Sequence, residues 1–183
     1  MKSYSRSRER FWAKAEMGGL GLVMSLVFAA CLTTPALAQH SPSTVFQTTL
    51  NRLTTFVVGN NGHLYDKYYN NGWIWEDQGT PPGTVAINSP GAVYQTVLDR
   101  IHAFVMGENG HLYLKYYNNG WFWQDRGTPP GGALAKNSPS AIYQPTINRV
   151  AAFVVGSYGR LSDSYYNGQQ WVWEDQGYPG VLF

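Results

Sequence analysis

Residues 89–131 read SPGAVYQTVLDRIHAFVMGENGHLYLKYYNNGWFWQDRGTPPG, and residues 41–83 read SPSTVFQTTLNRLTTFVVGNNGHLYDKYYNNGWIWEDQGTPPG. The two stretches agree at 29 of 43 positions and start 48 residues apart. A looser third copy, SPSAIYQPTINRVAAFVVGSYGRLSDSYYNGQQWVWEDQGYPG, fills residues 138–180 and starts 49 residues after the second. A period of this length falls among those of propeller blades. Near-identical copies offer one surface several times, which suits multivalent binding better than a single asymmetric catalytic constellation.

Each copy carries four strand signals and no helical period. The first is short, at 45–48, 93–96 and 142–144. The second, at 53–58, 101–106 and 150–155, is apolar on both faces, as in a strand sandwiched between neighbouring sheets. The third covers 63–69, 111–117 and 160–166, and the last 73–77, 121–125 and 171–175. Asn71-Gly72 and Asn119-Gly120 sit between the third and fourth and signal tight hairpins, since both residues tolerate positive φ. Copy three has the longer Asn167-Gly168-Gln169-Gln170 there. The expected fold is all-β, three four-stranded antiparallel propeller blades at 41–88, 89–137 and 138–183. Three blades leave the outer faces of the first and third uncovered, so a homodimer closing a six-bladed ring is expected. A shortened relative of a longer propeller is the rival expectation.

Residues 1–38 have the layout of a secretory leader. Arg6, Arg8, Arg10 and Lys14 precede an apolar stretch at 18–33, and Ala36-Leu37-Ala38 offers a small-x-small cleavage site. The expected mature chain runs over 39–183, secreted or periplasmic, with no membrane attachment. Five of the 13 Lys and Arg and two of the 11 Asp and Glu lie in the leader, leaving eight against nine. The formal +2 of the whole chain therefore becomes about −1, and no electrostatic case for nucleic acid remains. The single cysteine, Cys31, leaves with the leader, so stability must come from packing without disulfides.

Asn51-Arg52-Leu53, Phe56-Val57-Val58-Gly59, Asn61-Gly62-His63-Leu64-Tyr65 and Tyr68-Tyr69-Asn70-Asn71-Gly72-Trp73 resemble the blade repeat of bacterial fucose-binding propeller lectins of the PLL type. The fungal six-bladed fucose lectins look like more distant relatives. The resemblance covers 41–180 and implies a propeller that binds fucosylated or similar glycans without catalysis. The fungal sites pair a second-strand arginine with a third-strand carboxylate. The arginine position here holds Thr54, His102 or Ala151, and the carboxylate position Asp66, Leu114 or Asp163. A sugar site is therefore expected to rest on aromatics, Asn, Gln and His.

Candidate ligand residues recur in every copy. Trp73/Trp75, Trp121/Trp123 and Trp171/Trp173 each share a strand face and make an indole wall of the kind that stacks on sugar C–H faces. The apolar residue inside each pair also fits burial between blades, with Trp73, Trp121 and Trp171 nearer a rim. Tyr69, Tyr117 and Tyr166 can offer a hydroxyl, and His63, His111 and Arg160 follow the glycine turn. Asp77, Asp125 and Asp175 precede x-Gly and read as turn caps rather than catalytic acids. No catalytic, metal or cofactor motif recurs. The expected function is a multivalent lectin with sites in inter-blade clefts. A protein-binding scaffold is the alternative, and a divergent glycan-processing enzyme a weaker one.

Overall fold

The computed structural model describes residues 36–180, apart from Ala133 and Lys136. The basic and apolar segments of the expected leader lie outside the described residues. The chain from residue 36 onward forms three four-stranded antiparallel sheets. The first holds β1 (Ser43–Gln47), β2 (Arg52–Val58), β3 (Leu64–Tyr69) and β4 (Trp73–Asp77) in that order. The second repeats it with β5 (Ala86–Gln95), β6 (Arg100–Gly107), β7 (Leu112–Tyr117) and β8 (Trp121–Asp125). The third does so with β9 (Ser140–Gln144), β10 (Arg149–Val155), β11 (Leu161–Tyr166) and β12 (Trp171–Gly177).

Turn chemistry explains why each blade meanders in the same way. Asn51, Asp99 and Asn148 take φ of 48–49° between the first and second strands, a left-handed conformation that Asn and Asp adopt at lowest cost. Asn71 and Gly72 both have positive φ, at 52° and 150°, as the Asn-Gly signal requires. Asp77, Asp125 and Asp175 each accept the N–H of the glycine two residues on, at 2.7–2.9 Å.

The core lies between blades rather than within one. Phe56, Val58 and Leu64 of blade 1 pack with Ala86, Ile101, Ala103, Val105 and Tyr113 of blade 2. Phe104, Met106, Leu112 and Leu114 of blade 2 pack with Ala135, Val150, Ala152 and Val154 of blade 3. Among the described residues only the middle blade is covered on both faces, and 101–106 of β6 is buried throughout. This is the sandwiched strand that the two-faced apolar pattern predicts.

One boundary differs from the repeat as aligned. Residues Ala86 and Ile87, counted from the sequence with blade 1, pair with Gly107 and Met106 of blade 2. Their equivalents do the same: Ala38 bridges Gly59 and Ala135 bridges Gly156. The pairing is made through backbone groups at only one or two residues per copy, too few to show a strand period in the sequence.

Candidate functional site: the clefts between blades

Two cavities open at equivalent positions, one at each blade boundary. The cleft between blades 1 and 2 has a volume of about 330 Å³, and the cleft between blades 2 and 3 about 540 Å³. Their linings correspond position by position. Arg52, Tyr117 and Trp121 in the first match Arg100, Tyr166 and Trp171 in the second. Each cleft joins the second, third and fourth strands of one blade to the aromatic hairpin of the next.

In the first cleft the guanidinium of Arg52 lies 4.7 Å over the ring of Tyr68 and donates to Gln47 Oε1 at 3.0 Å. Tyr68 donates to Glu76 Oε1 at 2.7 Å, and this bond to a carboxylate holds its hydroxyl above the usual phenol range. Asp66 is only 2 % exposed and accepts Gln78 Nε2 at 2.8 Å. Burial pushes its carboxyl from 3.8 up to about 6, with the Glu76 charge adding and the Gln78 hydrogen bond opposing. Across the boundary Asp99 accepts from Gln47, Thr49 and Tyr94, and those hydrogen bonds, Gln47 foremost, hold it below the usual carboxylate range.

The second cleft keeps the frame and changes the chemistry. Leu114 replaces Asp66, Gln124 replaces Glu76 and Arg126 replaces Gln78. His102, in place of Thr54, donates Nε2–H to Gln95 Oε1 at 3.0 Å and stacks on Tyr116 at 6.3 Å. The direction is fixed because Gln95 uses its amide nitrogen toward Asn148. Burial pulls the imidazole from 6.5 down to about 4, with Arg100 adding, so His102 is neutral near pH 7. Arg126 rests its guanidinium 5.1 Å over the ring of Trp171. The longer hairpin of the third copy brings Gln169 and Gln170 to this cleft.

Among the described residues, the buried side-chain polar atoms without a partner are Arg52 Nε, Thr54 Oγ1, His102 Nδ1 and Arg126 Nε. Three belong to cleft-lining residues, and Thr54 is the blade 1 equivalent of His102. Unpaired buried polar atoms are costly, and their concentration here fits a site whose partner is a ligand.

The twelve residues singled out in the sequence divide by place. Trp121 and Tyr117 line the first cleft, and Trp171 and Tyr166 the second. Trp123 and Trp173 instead donate their indole N–H to the backbone carbonyls of Gln78 and Arg126 on the preceding blade. Trp73 and Trp75 are 55 % and 54 % exposed on the uncovered face of blade 1, where Tyr69 packs edge-on against Trp73. His63 and His111 pair with Asp77 and Asp125 at 2.9–3.1 Å, and Arg160 pairs with Asp175, none of them lining either cleft. The arginines at 52 and 100 escaped the sequence reading, although Arg52, Arg100 and Arg149 recur in all three copies. Arg126 could not be found by repetition, because it is peculiar to copy two.

No family model matches this sequence, and no curated protein resembles it closely enough to be matched. Solved structures do. A triple arginine-to-alanine mutant of AofleA from Arthrobotrys oligospora superposes with a TM-score of 0.57 at 12 % identity, over 79 % of this chain and 43 % of that one. A fucose lectin from Kordia zhangzhouensis in complex with methyl-fucoside gives 0.50 at 11 % identity, over 73 % of this chain and 97 % of that one. This chain shares the β-propeller blade fold of that lectin. The Aleuria aurantia lectin, solved as a mutant with α-methyl-L-fucoside, gives 0.52 at 16 % identity, over 72 % of this chain and 44 % of that one. The chain thus spans under half the length of the Arthrobotrys and Aleuria proteins and nearly all of the Kordia one.

Proposed function

We propose that this protein is an exported, non-catalytic lectin that takes fucose-like sugars in the clefts between its blades. The observation that carries this reading is the repeated cleft wall, an indole and a tyrosine of one blade facing an arginine and a tyrosine of the blade before it. Aromatic faces suit sugar C–H faces, and guanidinium and amide groups suit the hydroxyls. The fucosides held by the Kordia and Aleuria lectins support the sugar class. The leader-like sequence supports export. Titrating the mature protein with methyl α-L-fucoside, followed by tryptophan fluorescence and calorimetry, tests the reading. Saturable binding at more than one site per chain is expected, and no binding by folded protein would overturn it.

We also propose that two copies join head to tail into a six-bladed ring, which makes the binding multivalent. The two internal boundaries supply the pattern. Phe56 meets Trp121 edge-on at 6.0 Å, and Phe104 meets Trp171 at 5.9 Å. Gly62 leaves no room for a side chain because Val85 covers it, and Leu134 covers Gly110 in the same way. Blade 3 carries the same donor face: among the described residues nothing lies against Gly159, and Phe153 stands where Phe56 and Phe104 stand. Blade 1 carries the matching acceptor face, with Trp73, Trp75 and Leu37 exposed. A heterologous contact of this kind closes into a ring when the rotation permits. Sedimentation equilibrium should give twice the chain mass, and a persistent monomer would refute the closure.

A further inference from the structure

The two clefts share a frame but not a charge. Asp66, Glu76 and Asp99 line the first beside a single arginine, Arg52. The second is lined by Arg100 and Arg126 and by no carboxylate. The reversal comes from four replacements, Asp66 by Leu114, Glu76 by Gln124, Gln78 by Arg126 and Asp99 by Asn148, while blade 3 keeps Asp163, Glu174 and Gln176 at the first three positions. In blades 1 and 3 the glutamine donates to the buried aspartate at 2.8 and 2.9 Å, so the loss of the acid and the gain of the arginine occur at interacting positions.

Arg126 lies over the ring of Trp171 and makes no side-chain hydrogen bond among the described residues. The neighbouring Asp125 is occupied by His111 and by the N–H of Gly127. Beside it His102, 5 % exposed, has Nδ1 as an acceptor with no donor, because Nε2–H goes to Gln95. Arg100 gives Nη2 to Asn118 at 2.9 Å. A half-buried guanidinium with free donors, whose neighbouring acid Asp125 is already engaged elsewhere, favours a planar anion that can take two parallel N–H bonds. The nearby aromatic wall and the unfilled acceptor of His102 favour a ring that also carries hydroxyls.

We propose that the cleft between blades 2 and 3 takes a saccharide bearing a carboxylate, with Arg126 as the carboxylate-binding residue and His102 accepting a hydroxyl. This rests on the reading of the clefts as glycan sites and assigns a second ligand class to one of them. The first cleft, with three carboxylates, repels the same ligand and stays with neutral sugars.

The test is calorimetric titration of the intact exported protein with methyl β-D-glucuronide and, separately, with methyl α-L-fucoside. The glucuronide should bind, weaken about ten-fold in Arg126→Gln, and weaken on raising salt. Gln is native at the equivalent positions 78 and 176, so this variant keeps a side chain that the blade accommodates. His102→Thr, the blade 1 residue, should weaken glucuronide binding independently. Melting temperatures establish that both variants are folded. Fucoside binding without glucuronide binding overturns the second ligand class and leaves the lectin reading standing, as does glucuronide binding that survives both substitutions. Binding of neither sugar overturns both.

Discussion

The indole N–H of Trp123 is 3.1 Å from the backbone carbonyl of Gln78, across the boundary between blades 1 and 2. Trp173 makes the same bond to Arg126 one blade later. In blades 2 and 3 the second tryptophan of the pair therefore acts as a pin between blades, and the first, Trp121 or Trp171, lines a cleft. Trp75 is the remaining pin, exposed because no blade precedes it in the chain. Trp123→Phe should cost about 1 kcal/mol of stability in urea titrations, the net value of one hydrogen bond. Trp75→Phe should leave the monomer's stability unchanged and weaken self-association, read by sedimentation. An unaltered association constant would count against Gln176 of a second copy as its acceptor.

In the first cleft, Arg52 combines a stack on Tyr68 with a bond to Gln47, a geometry that a lysine cannot copy. Arg52→Lys should weaken methyl α-L-fucoside binding at this cleft about five- to ten-fold with little change in melting temperature. Equal affinity in the variant would mean that Arg52 braces the wall without touching the ligand.

Two buried titrating groups set opposite pH slopes. Asp66 is raised from 3.8 to about 6, so the folded state binds more protons between those values and stability falls as pH rises through that window. His102 is lowered from 6.5 to about 4, so the unfolded state binds more protons there and stability rises with pH. Each is worth on the order of 3 kcal/mol and they largely cancel. Asp66→Asn should expose a stability that rises from pH 4 to 6.5, and His102→Thr one that falls from pH 4 to 6. Urea midpoints across pH 4–7 measure both, and parallel curves for the two variants would contradict the assignment.

Much of the fold was legible because repetition multiplies weak signals. Strand four was read as 73–77 and 121–125, the observed Trp73–Asp77 and Trp121–Asp125. The Asn-Gly hairpins and the Asp-x-Gly caps also stand as read, since their chemistry is local. The cleft was only partly legible. Tyr117 and Trp121 come to it from blade 2, but Arg52, Asp66 and Glu76 come from blade 1, and no linear pattern links residues more than 40 positions apart. Asp66, at the third-strand position compared with the fungal sites, lines the cleft, and the arginine that lines it is Arg52, two residues before Thr54. His63 and Asp77 recur together as a pair, which explains their repetition without a ligand.

Leu37 also belongs to the blade. Its carbonyl accepts the N–H of Asn60 at 2.8 Å and its N–H donates to Asn60 Oδ1 at 3.2 Å. Val85 and Leu134 accept from Glu108 and Ser157 in the same way. A chain that begins at Gln39, as the small-x-small site predicts, loses both bonds and should be about 1–2 kcal/mol less stable than one that begins at Leu37. Urea unfolding of the two forms tests this, and identical midpoints would show the Leu37 bonds to be energetically neutral.

The central claim, sugar binding in the inter-blade clefts, is tested most directly by a glycan array probed with labelled mature protein and with its Trp121→Ala/Trp171→Ala variant. The account predicts binding to a coherent set of fucosylated and related glycans that the variant loses while it remains folded by circular dichroism. A blank array from well-folded wild-type protein, or a variant that binds as well as the parent, would contradict it.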